Sequence, residues 1–141
     1  MASANVELVR SIYAAWERGD FSSTAWADPE IEYVVADGPE PGSWTGIAAM
    51  TVVWRAFAAV LKDIRTEPDE YRELDDGRVL VFVRRRARAK TSGVEFEQIK
   101  ARGAGLFEIH GGKVTRIVHY WDRERALADL GLAPEARSRD S

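Results

Sequence analysis

Cysteine is absent from all 141 residues, which excludes disulfides and thiolate chemistry and permits a reducing compartment. Histidine occurs only at 110 and 119, and two histidines without a cysteine give no metal-ligand spacing, so no metal is expected. No apolar run approaches the roughly 20 residues a bilayer crossing needs. The start, MASANVELVR, lacks the basic-then-apolar order of a secretory signal. Excess charge is small as well: a net −3 offers no general attraction to nucleic acid or to an anionic membrane. A phosphate-cradling glycine loop, a nucleophile elbow and a heptad seam are all missing. The expectation is a cytoplasmic protein with no cofactor, no nucleic-acid partner and no membrane partner.

What is present is a globular balance, 45% apolar and 30% charged, in a chain long enough to bury a core. Val6, Val9, Ile12, Tyr13 and Trp16 recur at helical spacing, with Ser3 or Asn5 as cap and Gly19 as stop. Asp20 can cap a short second helix carrying Phe21 and Trp26 and stopped by Pro29, before a first strand over Ile31 to Ala36. DGPEPGSWTG (37–46) reads as a loop, and Thr45 can cap a third helix with Ile47, Met50, Val53, Trp54, Phe57 and Leu61 on one side. The period then changes to two, and strands are predicted over roughly 64–74, 78–90, 94–109 and 113–121, divided by DDGR, TSG and HGGK. Asp122 caps a last helix with Ala126, Leu127 and Leu130 facing inward, closed by Gly131. One domain, residues 1–132, with a loose polar tail, 133–141, follows. Helices gathered before an antiparallel meander make it α+β, a curved sheet with helices across one face of a cone-shaped cavity.

Hairpin turns fix register, and register fixes which side chains face the cavity. Two-residue turns at Asp76-Gly77 and Ser92-Gly93 would pair Tyr71 with Phe82, Asp69 with Arg84, Glu67 with Arg86 and Phe82 with Gly103. One face of the predicted strand over 94–109, Ile99, Ala101, Gly103, Gly105, Phe107 and Ile109, is apolar and small in the middle, as a cavity wall should be. A two-residue Gly111-Gly112 turn would pair His119 with Ala104 on the far face; the favoured three-residue loop, His110-Gly111-Gly112, would pair it with Gly103 and turn it inward beside Thr115, Ile117 and Trp121. On the first strand, Tyr33 and Asp37 share a parity.

Asp37 and His119 are therefore the catalytic candidates: a carboxylate base and a histidine that donates, orients or shares the proton. Burial beside Tyr33, Trp44 and Trp54 would be expected to bring a carboxylate and an imidazole toward neutrality. Asp37 also has a plain alternative as a turn aspartate in ADGP. Tyr33, Trp44, Trp54, Phe82, Phe107 and Trp121 are assigned to an apolar lining. The run Arg84, Arg85, Arg86, Arg88 and Lys90 faces acids in the predicted pairing, which explains it as cross-strand charge pairing. Arg84 or Arg86 remains a candidate to hold an acidic group of a ligand at the cavity wall.

YAAWERGD (13–20), GSWTGIAAM (42–50) and GLFEIHGGKVTRIVHYWD (105–122) resemble the nuclear transport factor 2-like superfamily and, within it, the SnoaL-like and ketosteroid isomerase-like group. The resemblance implies a cone of one curved mixed or antiparallel sheet wrapped by N-terminal helices, often a homodimer through the sheet. Ketosteroid isomerases carry a base nine residues before the glycine opening the third helix, which matches Asp37 and Gly46. Their oxyanion-hole positions align with Ile12 (Tyr13 is one off) and Gly105, so that hole is missing in its usual form. In the Asp-Arg-Asp set of limonene-type epoxide hydrolases, Arg86 fits the arginine, but Arg88 and His119 stand where the aspartates belong. The resemblance thus implies cofactor-free acid–base chemistry, of isomerase, cyclase or lyase type, on a small hydrophobic, cyclic or polyketide-like molecule. The alternative is a non-catalytic module of the same fold for binding such a ligand or for dimerisation.

Overall fold

The computed structural model describes residues 3–18, 20, 23–37, 41–75, 77–90 and 96–132. Ser3 accepts the amide of Val6 at 3.1 Å and so opens helix α1, Ala4–Glu17, which buries Val6, Val9, Ile12 and Tyr13 on one stripe. Strands β1, Ala27–Val35, and β2, Gly42–Thr45, form an antiparallel pair. Helix α2, Ile47–Val60, leads into a meander of β3, Leu61–Asp75; β4, Arg78–Lys90; β5, Phe96–His110; and β6, Lys113–Tyr120. Helix α3, Arg123–Asp129, is capped by Asp122, which accepts the Glu124 amide at 3.0 Å.

The sheet order is β2-β1-β6-β5-β4-β3, with β1 parallel to β6 and every other pair antiparallel. Helices α1 and α2 pack on one face, and α3 packs against β5 and β6. Two apolar cores result. Val79, Val81, Val83, Phe107, Ile109 and Ile117 meet the first two helices. Leu80, Phe82, Ala104, Leu106, Val118 and Tyr120 meet α3.

Several expectations change. No second helix forms among the described residues: 25 and 26 turn, and β1 starts at Ala27 and runs through Pro29 where its register against β6 is irregular, a place that tolerates a missing N–H. Gly46, not Thr45, opens α2; its φ is 98° and its carbonyl accepts the Met50 amide at 3.0 Å, while Thr45 belongs to β2. Gly19, Phe21, Asp76, the TSG turn and the tail lie outside the described residues.

Register is the larger correction. Near the first hairpin Asp75 pairs with Arg78 as a two-residue turn requires, but bulges along β3 then bring Tyr71 opposite Val81 and Glu67 opposite Arg84. Between β4 and β5 the pairing is Phe82 with Ala104 and Arg85 with Ala101, one residue off the predicted one. That single step exchanges the faces of β4. Phe82 lies buried on the α3 face with Arg123 and Arg72 guanidinium groups 4.9 and 4.7 Å from its ring, and Arg86 points to solvent beside Glu67. Neither faces the α1–α2 side; Arg85 does. The last hairpin is also corrected: Gly111 and Gly112, both with positive φ, make a two-residue turn between His110 and Lys113. A bulge between Glu108 and Ile109 then restores the predicted face of His119, which pairs with Gly105 rather than Gly103.

Candidate functional site

The inward faces of β1, β4, β5 and β6 converge under α1 and α2. Tyr33 is buried on β1, its ring 5.2 Å from His119 and 6.1 Å from Trp54, whose indole N–H donates to its hydroxyl. Burial pushes the Tyr33 phenol up to about 12, so it stays protonated. Trp16, Trp26 and Trp54 meet edge-on or tilted at 5.9–6.4 Å, and Trp16 lies 6.2 Å from His119. Trp44 stands opposite Tyr33 on β2 and folds back over Gly42, where a Cβ would come within 2.6 Å of the ring. Phe107 is fully buried beneath Tyr13. Of the predicted lining, Tyr33, Trp44, Trp54, Phe107 and Trp121 belong to or pack on this core.

His119 is buried, and its Nδ1 lies 3.2 Å from Nη2 of Arg85, itself buried. A guanidinium can only donate, so Nδ1 accepts and the imidazole proton resides on Nε2. Burial and then the Arg85 charge lower the His119 pKa well below its ordinary value, so the ring is neutral at pH 7. Arg85 also donates to the Ala104 carbonyl at 3.1 Å, while its Nε is buried without a partner. It makes no ion pair with a carboxylate among the described residues; Asp37 acts on it only through charge. Its guanidinium lies 5.7 Å from the Trp121 ring.

A second buried donor is unpartnered: the hydroxyl of Tyr13. Desolvation raises its pKa, so it too keeps its proton. The hydroxyl and His119 Nδ1 both lie within 4 Å of the point where a Gly105 Cβ would stand, the hydroxyl at 2.7 Å. Arg85 Nε comes within 3.1 Å of the corresponding point at Gly103. These two glycines let donors approach the sheet backbone that a side chain would fend off.

Asp37 sits half-buried at the exit of β1, its Oδ1 accepting the Trp121 amide at 2.6 Å and Oδ2 the Asp122 amide at 3.1 Å. It is thus held by the β6–α3 junction, while the rest of the ADGP turn, 38–39, lies outside the described residues. Each oxygen retains a second lone pair. Arg84 pairs with Asp69 at 2.7 Å and Arg86 with Glu67 at 3.4 Å, the charge pairing expected from the sequence despite the altered register. Among the described residues no three His, Asp or Glu side chains gather to hold a metal ion.

Sequence reasoning missed Arg85 and placed Tyr13 one position off. Tyr13 was visible as a helical-stripe residue. Arg85 was hidden within five cations, where only register tells which one turns inward.

Residues 9–117 match the SnoaL-like domain family. The chain belongs to that family. No curated protein matches it by sequence. Among solved structures, this SnoaL-like chain is similar to a nuclear transport factor 2-like protein of unknown function from Burkholderia pseudomallei, 20% identical, with a TM-score of 0.74 over 90% of this chain and 97% of that one. It is similar to TerC co-crystallised with polyporic acid, 24% identical, with a TM-score of 0.71 over 92% and 98% of the two chains. A protein of ketosteroid isomerase-like fold from Catenulispora acidiphila, in complex with trimethylamine, is 16% identical with a TM-score of 0.66 over 90% and 94%. At these identities the likeness establishes the fold. Among the described residues no helix is long and apolar enough to cross a membrane.

Proposed function

We propose that this SnoaL-like domain performs cofactor-free acid–base chemistry of the isomerase, cyclase or lyase type on a small hydrophobic cyclic or polyketide-like molecule. The observation that carries the reading is the buried Arg85–His119 pair, which no described carboxylate neutralises, set in a wall of Tyr13, Trp16, Tyr33 and Trp54. Its donors suit an oxygen that gains negative charge as a neighbouring C–H bond ionises. Electrostatic preorganisation of this kind acts strongly because the site excludes water. Asp37 takes the proton through a free lone pair; His119, through Nε2–H, acts as donor and orienter. A small-molecule ligand also accords with the polyporic acid and trimethylamine found with two structural relatives. We extend the reading to a cytoplasmic homodimer joined through the sheet, on the family resemblance, which sedimentation checks.

Base-catalysed ring opening of 1,2-benzisoxazole tests the chemistry. A base removes the C3 proton, the N–O bond breaks, and the electron pair ends on the phenolate oxygen of 2-cyanophenol. The wild type should exceed the buffer rate, Asp37→Asn should fall to it, and His119→Ala should lose roughly 10- to 100-fold, within the usual reach of acid–base groups. A wild-type rate equal to buffer across pH 5–9 would defeat the catalytic reading. The second reading, a binding module, is favoured by one observation: both Asp37 oxygens are already engaged by backbone amides. It requires Asp37→Asn to alter ligand affinity without altering any rate.

A further inference from the structure

Buried donors without acceptors are costly, and this interior holds two of them within one cluster. The Tyr13 hydroxyl and Arg85 Nε are both buried and unpartnered. They stand over Gly105 and Gly103, two positions apart on one strand face. His119 Nδ1 lies 3.9 Å from the point where a Gly105 Cβ would stand and is already engaged by Arg85. A buried guanidinium ordinarily sits against a carboxylate, and here none of the described side chains supplies one. What the cluster lacks is a negatively charged acceptor with two oxygens.

We propose that Arg85 and Tyr13 form an anion subsite that takes the carboxylate, or an equally acidic enolic oxygen, of a cyclic ligand. One oxygen would accept from Arg85 Nε and the other from the Tyr13 hydroxyl. The ring of the ligand would lie against Trp16, Tyr33 and Trp54. Arg85 also borders an open depression of about 350 Å³, shared with Arg84, Arg86, Ala101 and Arg102. Arg84 and Arg86 lie on the opposite face of β4 and pair with Asp69 and Glu67, so the charge that faces the cluster is that of Arg85. This rests on the proposed small-molecule site and names its substrate class: a planar organic acid rather than a neutral hydrocarbon or ketone.

Matched probes separate the two ideas. Binding of 2-naphthoate and of uncharged 2-naphthamide, followed by tryptophan fluorescence and calorimetry at pH 7.5, should favour the carboxylate by about tenfold or more, as a charge-assisted hydrogen bond does. Arg85→Gln should bring that ratio close to one while the amide still binds. Tyr13→Phe should weaken 2-naphthoate several-fold and leave the amide nearly unchanged. A wild-type ratio near one overturns the anion subsite but leaves the apolar site in place. Failure of both probes to bind overturns the subsite and the small-molecule reading together. Carboxylate selectivity without benzisoxazole turnover keeps the subsite and removes the catalysis. Should Arg85→Gln not fold, the wild-type ratio and Tyr13→Phe still decide, because neither needs that variant.

Discussion

Glycine at 105 is what lets a tyrosine hydroxyl reach bare backbone in the middle of a sheet. An alanine there would put its methyl 2.7 Å from Tyr13 Oη and 3.3 Å from Phe107 Cε1, both fully buried rings. Neither ring can retreat without displacing α1 or the core beneath it. Gly105→Ala should therefore destabilise the fold by about 1–3 kcal/mol, the usual cost of overpacking, read as a lower urea midpoint at unchanged m-value. Gly103→Ala should cost more, since its methyl would meet the Tyr120 carbonyl, which is backbone, as well as Arg85 Nε. A pair of neutral substitutions would show that the glycines are not making room for the donors. At this scale the sequence was informative about β5, whose small inward face was readable directly, and misleading about β4. Its Val79, Val81, Val83 and Arg85 alternate with Leu80, Phe82, Arg84 and Arg86, so apolar residues occur on both parities and alternation alone does not choose a face.

Strands and helices are tied at one junction, where β6 hands over to α3. Asp37, just past the end of β1, accepts two backbone amides there, and Asp122 caps the helix. Arg123, the first residue of α3, is buried and donates to the Gly103 carbonyl at 3.2 Å, the Val83 carbonyl at 2.8 Å and Asp69 at 3.1 Å, joining β3, β4 and β5. Asp37→Ala should lose about 1.5–3 kcal/mol per charged hydrogen bond at most, so a thermal melt must accompany its kinetics. Asp37→Asn should lose less, because its carbonyl oxygen still serves one amide while its NH₂ faces the other. Arg123→Met should cost about 3 kcal/mol, as it removes the buried donor to the Val83 and Gly103 carbonyls and leaves Asp69 only its pairing with Arg84. A loss below 1 kcal/mol in equilibrium unfolding would mean that water replaces the guanidinium. The elements themselves were largely legible: long strands, glycine turns and the Asp122 cap all carry local signals. Strand β2 did not, because four residues within a Gly- and Pro-rich stretch have no period to read; they pair along Glu32 to Val35 of β1, with Trp44 opposite Tyr33.

For the molecule as a whole, a neutral histidine buried against a buried arginine makes stability depend on acidity. In the unfolded chain His119 titrates near its ordinary 6.5, whereas in the fold burial and the Arg85 charge hold its pKa well below that. The unfolded chain therefore binds the extra proton first as pH falls. Stability is fully present above about pH 6.5 and declines below it, with a slope approaching about 1.4 kcal/mol per pH unit until the folded-state value is reached. Groups facing His119 do not mask this: Arg85 stays charged and the Tyr13 and Tyr33 phenols stay protonated throughout. His119→Gln supplies the reference, since the amide oxygen accepts from Arg85 and its nitrogen donates where Nε2–H did. Urea midpoints between pH 7.5 and 5.5 should fall more steeply in the wild type than in His119→Gln. Parallel curves would mean that His119 takes up its proton as readily in the fold as in the unfolded chain, against the burial and the Arg85 charge. The Arg85–His119 hydrogen bond would then be gone, and with it the donor face on which both the proposed chemistry and the anion subsite depend.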